Sequence, residues 1–311
     1  MQNNLAFVFP GQGSQAVSML ADFADETVIQ NTFKEASEAL GYDVWQLISE
    51  GPAEKLNQTN YTQPALLTAS VALWRLWSAK SDIKPATLAG HSLGEYSALV
   101  CADIIDLGAA VKLVRKRGEL MQASVPEGVG AMAAVIGLGD AEIIAACEQA
   151  QEQEIVSAVN FNSPGQVVIA GHKSAVERAG LLCKEAGAKR VLPLPVSVPS
   201  HCALMKSAAD ELAKELDHIT FNAPSIPVIN NVDVTVESSA EKIKSALVRQ
   251  LYSPVRWTET IELLAKNGCT QVLEIGPGKV LQGLLKRIDK SVSCESVNDN
   301  ASLTKALELI K

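Results

Sequence analysis

The chain has 311 residues, 47% apolar and 20% charged, and 27 Lys and Arg against 35 Asp and Glu leave a net charge of −8. This ordinary globular composition excludes a disordered, collagen-like or coiled-coil chain, and the negative balance argues against nucleic acid as a partner. No apolar run approaches the roughly 18–20 residues of a membrane span, and six scattered cysteines without a C-x-x-C pair predict free thiols rather than a disulfide frame or a metal site.

In chain order, residues 5–9 read as a short buried strand ended by Pro10-Gly11. Gly11-Gln12-Gly13-Ser14-Gln15-Ala16 then matches the letters of a dinucleotide-binding fingerprint, but 31–50 reads as helix where that motif needs a second strand and its acid. Gln12 serves better as a polar donor near the carboxyl edge of the sheet. A strand over 85–89 runs into Gly90-His91-Ser92-Leu93-Gly94 and a helix. This is G-x-S-x-G in its proper strand–turn–helix setting, where a strained turn exposes the serine hydroxyl and backbone amides such as that of Leu93 can hold an oxyanion.

The helix over 106–124 carries Leu107, Ala110, Val111, Val114, Gly118 and Met121 on one face at about 100° per residue, and Arg117 falls within that apolar arc. A guanidinium so placed needs an anion, either a protein carboxylate or, if none serves, a substrate carboxylate held bidentately. From 128 to 196 the pattern is strand–helix–strand–strand–helix–strand, with Asp140 as N-cap of the first helix and an Asn-Ser-Pro-Gly turn between the middle strands. That order is ferredoxin-like, so 128–196 reads as a subdomain inserted into a larger α/β domain formed by both chain ends, 1–127 and 197–311.

A serine nucleophile needs a base, and there are four histidines. His91 adjoins Ser92 on a sharp turn that points neighbouring side chains apart; His172 and His218 read as solvated. His201 remains, after a strand ending near Val198 and at the start of a helix capped by Ser200, whose N-terminus would keep the imidazole neutral. Cys202 beside it reads as a buried structural thiol. No acid stands at a convincing strand end between Ser92 and His201, so the imidazole must be oriented otherwise. A helix over 239–251, opened by a Ser238-x-x-Glu241 capping box, leaves its last carbonyls free, and one near Gln250 could accept the His201 Nδ1 proton. Gly276-Pro277-Gly278-Lys279 lacks Walker A spacing and reads as the turn starting a helix over 280–287.

Together these motifs resemble the malonyl-CoA:acyl carrier protein transacylase family of bacterial fatty-acid synthesis. The resemblance runs through Phe9-Pro-Gly-Gln12-Gly-Ser-Gln15, Thr62-Gln63-Pro64-Ala65, Gly-His-Ser92-Leu-Gly-Glu-Tyr, Asn160-Phe-Asn162-Ser-Pro-Gly-Gln166, Ser200-His201, Gln250-Leu-Tyr-Ser-Pro-Val-Arg-Trp257 and Glu274-Ile-Gly-Pro-Gly278. It implies an α/β-hydrolase-like core with an inserted ferredoxin-like subdomain, and Ser92 as nucleophile, His201 as base and Gln250 as its orienting residue. Gln12 and Leu93 would form the oxyanion hole, and Arg117, with Gln63, Asn160 and Asn162, would bind substrate. It further implies malonyl-CoA and acyl carrier protein as substrate and partner, no cofactor and no metal, and a cytoplasmic monomer. A serine esterase or thioesterase, or a non-catalytic carrier-binding module, remains the alternative. Lys189-Arg190 and Lys286-Arg287 are candidate basic contacts for an acidic carrier.

Overall fold

A computed structural model describes residues 2–196 and 198–310. The N-terminal part runs β1 (Gln2–Phe9), then helices α1 (Thr27–Leu40), α2 (Val44–Glu50), α3 (Ala53–Leu56) and the long α4 (Thr59–Lys80). β2 (Pro85–Gly90) leads into α5 (Leu93–Cys101) and α6 (Leu107–Ser124). Next come β3 (Gly130–Ile136), α7 (Asp140–Ala150), β4 (Val156–Ser163), β5 (Gln166–His172), α8 (Lys173–Glu185) and β6 (Arg190–Pro193). The C-terminal part contains α9 (Lys206–Asp217), β7 (Val228–Ile229), α10 (Ala240–Gln250), α11 (Trp257–Lys266), β8 (Gln271–Ile275), α12 (Val280–Ile288), β9 (Ser293–Val297) and α13 (Asn300–Leu309).

Two sheets result. The first is parallel in the order β7-β2-β1-β8-β9, drawing strands from both ends of the chain. β1 lies at its centre, and Leu5 to Phe9 are buried on both faces, as a central parallel strand requires. One face packs on α4 and α5, with α1, α6, α9 and α10 joining the same apolar cluster, which includes Phe7, Phe9, Leu73, Leu88, Leu99 and Leu247; the other packs on α11 and α12 through Val8, Ile261 and Leu285. The second sheet is antiparallel in the order β4-β5-β3-β6, with α7 and α8 on one face. Its opposite face presents Met132, Val159, Val168 and Ala170 to Cys202, beside His201. β4 also pairs with the C-terminal part, Phe161 N donating to the Val255 carbonyl and Val255 N to that of Val159. The fold is therefore mixed α/β with one parallel and one antiparallel sheet.

Several local expectations are corrected. Gly139, not Asp140, is the N-cap of α7, and Asp140 is its first helical residue. α10 is capped by Ser239, whose hydroxyl accepts from Lys242 N at 3.2 Å, so the Ser238–Glu241 box does not form. The strand before His201 ends at Pro193, and His201 does not open a helix: a 3-10 turn, Ala203–Met205, separates it from α9. His172 is half-buried, its Nδ1 accepting the Ile155 amide at 2.9 Å, and not simply solvated. All six cysteines are free, as read from the sequence, and all six are buried, as read for Cys202 alone.

Candidate active site

The site forms where the C-terminal ends of β1 and β2 meet, Phe9 level with Gly90. The chain must turn from β2 into α5 within two residues, and glycine alone permits it. A Cβ on Gly90 would stand 1.9 Å from the Gly94 carbonyl carbon, and one on Gly94 would stand 2.0 Å from the Phe9 oxygen. Ser92 absorbs the bend at φ 51°, ψ −106°, a backbone state costing about 1–3 kcal/mol that the surroundings must hold. Asn231, just beyond β7, does so: its Oδ1 accepts the Ser92 amide at 2.7 Å, and its Nδ2 donates to the Gly90 carbonyl at 2.7 Å.

His201 also has positive φ, 65°, and its amide donates to the Leu251 carbonyl. This aims Nε2 at Ser92 Oγ, 2.7 Å away, and Nδ1 at the Gln250 carbonyl, also 2.7 Å. A carbonyl only accepts, so Nδ1 carries the proton and Nε2 is left to accept the serine hydroxyl. The ring is 3% exposed. Burial first, and then the Arg117 charge, lower its pKa to about 3, so it rests neutral. The reason read from sequence, a helix N-terminus, is not the cause.

Arg117 is fully buried in the apolar stripe of α6. It donates from Nη1 to Gln63 Oε1 at 2.7 Å, and from Nη2 to Gln250 Oε1 at 3.1 Å and Ser92 Oγ at 3.4 Å, over the Tyr96 ring at 5.4 Å. Among the described residues its Nε has no hydrogen-bond partner, and no carboxylate lies within ion-pair distance. The alternative of a direct ion pair with a protein carboxylate is thereby removed.

A cavity of about 190 Å³ opens over Ser92 and His201, lined also by Gln12, Thr59, Met132 and Asn160. Gln12 Oε1 accepts from Thr59 at 3.2 Å, which leaves its amide N–H₂ as the donor end. Leu93 opens α5, so its amide has no carbonyl one turn back to bond. Asn160 Oδ1 is buried without a partner. Asn162 is drawn instead to His91, Oδ1 to Nε2 at 2.7 Å, and does not line the cavity. Gln63 likewise touches Arg117 and not the cavity. Sequence reasoning missed Asn231 and Glu95. Glu95 Oε2 accepts from both Gln250 Nε2 at 2.7 Å and Asn231 N at 3.0 Å, and an acid inside the wholly buried helix α5 was its one signal. Among the described residues no cluster of three or more His, Cys, Asp or Glu could hold a metal, and no helix is long and apolar enough to cross a membrane.

A hydroxyl held against a neutral imidazole, beside helix-start amides and a buried cation, is equipped for acyl transfer through a serine ester. The family model described as acyl transferase domain matches residues 6–306. The malonyl CoA-acyl carrier protein transacylase of Escherichia coli is 63% identical over 305 residues, 98% of this chain and 99% of that protein; its Bacillus subtilis counterpart is 44% identical over 312 residues, covering 99% and 98%. The crystal structure of an acyl carrier protein S-malonyltransferase from Vibrio cholerae superimposes with TM-score 0.96 at 65% identity, covering 97% of this chain and 99% of that one. A malonyl-transacylase solved in complex with its type II PKS acyl-carrier protein gives TM-score 0.97 at 62% identity, covering 98% and 99%. The chain belongs to the acyl transferase family, in its malonyl-CoA:acyl carrier protein transacylase branch.

Proposed function

We propose that this enzyme moves a malonyl group from malonyl-CoA to the phosphopantetheine thiol of acyl carrier protein through a malonyl-Ser92 ester. His201 Nε2 takes the hydroxyl proton as Ser92 Oγ attacks the thioester carbonyl. The oxyanion is met by the Leu93 amide and the Gln12 side-chain amide, each donor contributing on the order of 3 kcal/mol. The imidazolium, steadied by the Gln250 carbonyl, returns its proton to the departing CoA sulfur. The carrier thiol then enters, gives its proton to His201 and attacks the ester carbonyl; the Ser92 oxygen leaves and takes that proton back from the imidazolium, so the kinetics are ping-pong. Arg117 takes the malonyl carboxylate, and Asn160 Oδ1 accepts an N–H of the pantetheine arm. No cofactor enters this scheme. The two-sheet topology supports reading the fold as a hydrolase-like core (1–127, 197–311) with a ferredoxin-like insert (128–196), although Met1, Ser197 and Lys311 lie outside the described residues.

The observation that carries this reading is a buried arginine with no directly paired carboxylate among the described residues, 3.4 Å from a serine that is itself 2.7 Å from a neutral histidine. Malonyl-CoA mixed with the full chain and quenched in acid should leave one malonyl mass increment. That increment should be absent from Ser92→Ala and should discharge as a new thioester when the carrier is added. Release of free malonate at the same rate with or without the carrier would overturn transfer in favour of hydrolysis.

A further inference from the structure

Two glutamates are buried among the described residues, and they are used differently. Glu274 is a helix cap: its oxygens accept the amides of Leu281 at 3.0 Å and Gln282 at 2.8 Å at the start of α12. Glu95 caps nothing. It sits one turn past Ser92, and its Oε2 faces the Gln250 side-chain amide, whose other end faces Arg117. That amide therefore lies between cation and anion with its dipole aligned, oxygen to the guanidinium and N–H₂ to the carboxylate. Its second N–H reaches the Ser92 carbonyl at 3.1 Å.

We propose that Glu95 is the positioning residue of the anion site, supplying the counter-charge of Arg117 at one amide's remove and so setting how strongly Arg117 draws the carboxylate of a dicarboxylic acyl group. The inference rests on Arg117 being the group that receives that carboxylate. A direct Glu–Arg pair would occupy the guanidinium, whereas no counter-charge at all would leave a buried cation uncompensated. The interposed amide avoids both. It also sets a limit: an arriving carboxylate places a second negative charge near Arg117, and Glu95 repels it. The other charged or titratable groups around Glu95 are Asp233 and Glu237 from the segment after β7 and Tyr96 from its own helix. Burial raises the Glu95 carboxyl to about 7, so its charge changes near neutrality. When it is protonated the repulsion disappears, and malonyl is drawn more strongly.

The test compares malonyl-CoA with acetyl-CoA as acyl donors to the full chain between pH 6 and 8.5. In the unaltered enzyme the malonyl KM should rise relative to the acetyl KM as pH rises through about 7. Glu95→Gln keeps the shape and an oxygen able to accept both N–H groups but not the charge. It should lower the malonyl KM about 3- to 10-fold at the alkaline end, with a smaller effect on acetyl, and flatten the pH dependence of the ratio. A ratio that is flat with pH in the unaltered enzyme, or equal shifts for both donors in Glu95→Gln, would overturn the inference. Arg117→Ala separates the two claims. If it leaves malonyl preference intact, the carboxylate reading itself fails; if it removes the preference while Glu95→Gln does nothing, only the role of Glu95 fails.

Discussion

The parallel sheet and the antiparallel sheet line the same cavity with opposite kinds of residue. From the parallel part come Ser92 and His201 at the cavity and, behind them, Arg117, Gln250, Glu95 and Asn231, a polar network locked by hydrogen bonds of 2.7–3.4 Å and almost closed to solvent. From the antiparallel part come Met132 and Asn160, followed by Leu194, Pro195 and Val196, which carry no charge and make no hydrogen bond to Ser92 or His201. On the proposed mechanism, the contrast gives bond-making and charge recognition to one sheet and the wall of the thioester corridor to the other. Substitutions on the first should change rate and acyl selectivity, and those on the second should change affinity.

The largest break in that contrast would come from Arg117→Ala. Losing a desolvated ion pair with substrate costs about 3–4 kcal/mol, so malonyl transfer should fall about 10²- to 10³-fold while acetyl transfer falls less than tenfold. The same variant should also move a pH limb. The Arg117 charge helps hold His201 near 3, well under the ordinary imidazole value of 6.5. A lowered pKa keeps the base unprotonated at acid pH, so the acid limb of acetyl-CoA kcat/KM should lie below pH 5 in the unaltered enzyme. Without the guanidinium the pKa rises, and the limb should shift upward. Acetyl and malonyl profiles that fall equally, with no shift of the limb, would remove charge recognition from the parallel part.

How much of this was legible in the sequence follows the same division. Ser92 was readable because G-x-S-x-G encodes a local steric necessity, seen in the clashes that any Cβ at Gly90 or Gly94 would make. Arg117 was readable because helical periodicity fixes its face, and a charge on an apolar face is conspicuous. His201 was reached only by excluding the other histidines, and its mechanism was misjudged. Its neutrality comes from burial and Arg117, groups distant in sequence, and no helix begins there. Asn231 and Glu95 were invisible as a pair: 136 residues separate them, and no periodicity links them. Asn162 had the right motif but the wrong destination, because His91 takes its side chain. The antiparallel sheet with α7 and α8, built from local strand–turn–helix signals, was legible in element order, although its caps and strand ends shifted by one to a few residues.

A sharper test of the corridor wall is Asn160→Ala. Its Oδ1 is buried and unpartnered at the cavity, and supplying an N–H from the thioester arm is worth about 0.5–1.5 kcal/mol. The KM for both acyl-CoA donors should rise about 3- to 10-fold, with kcat nearly unchanged. A fall in kcat with constant KM would place Asn160 among the bond-making groups and blur the division between the sheets.

An effect of the same size, but one that salt should erase, lies where the two parts meet at the surface. Ile136 is in register with both Gln166 and Arg190, Lys189 N donates to the Ile136 carbonyl, and Arg287 of α12 reaches across to Gln166 Oε1. Lys189, Arg190 and Arg287 thus gather from two parts of a chain whose net charge is −8, while Lys286 acts electrostatically on Cys294 of β9. An acidic carrier seated on this cluster would be steered to the cavity by charges that take no part in the chemistry. Reversing Lys189 and Arg190 to Glu should lower kcat/KM for the carrier about 3- to 10-fold at 0.1 M salt and much less at 1 M, where screening shortens to about 3 Å. Acylation by malonyl-CoA measured alone should not follow. If both half-reactions weaken together, these cations serve the CoA arm, and the antiparallel part does more than line the corridor.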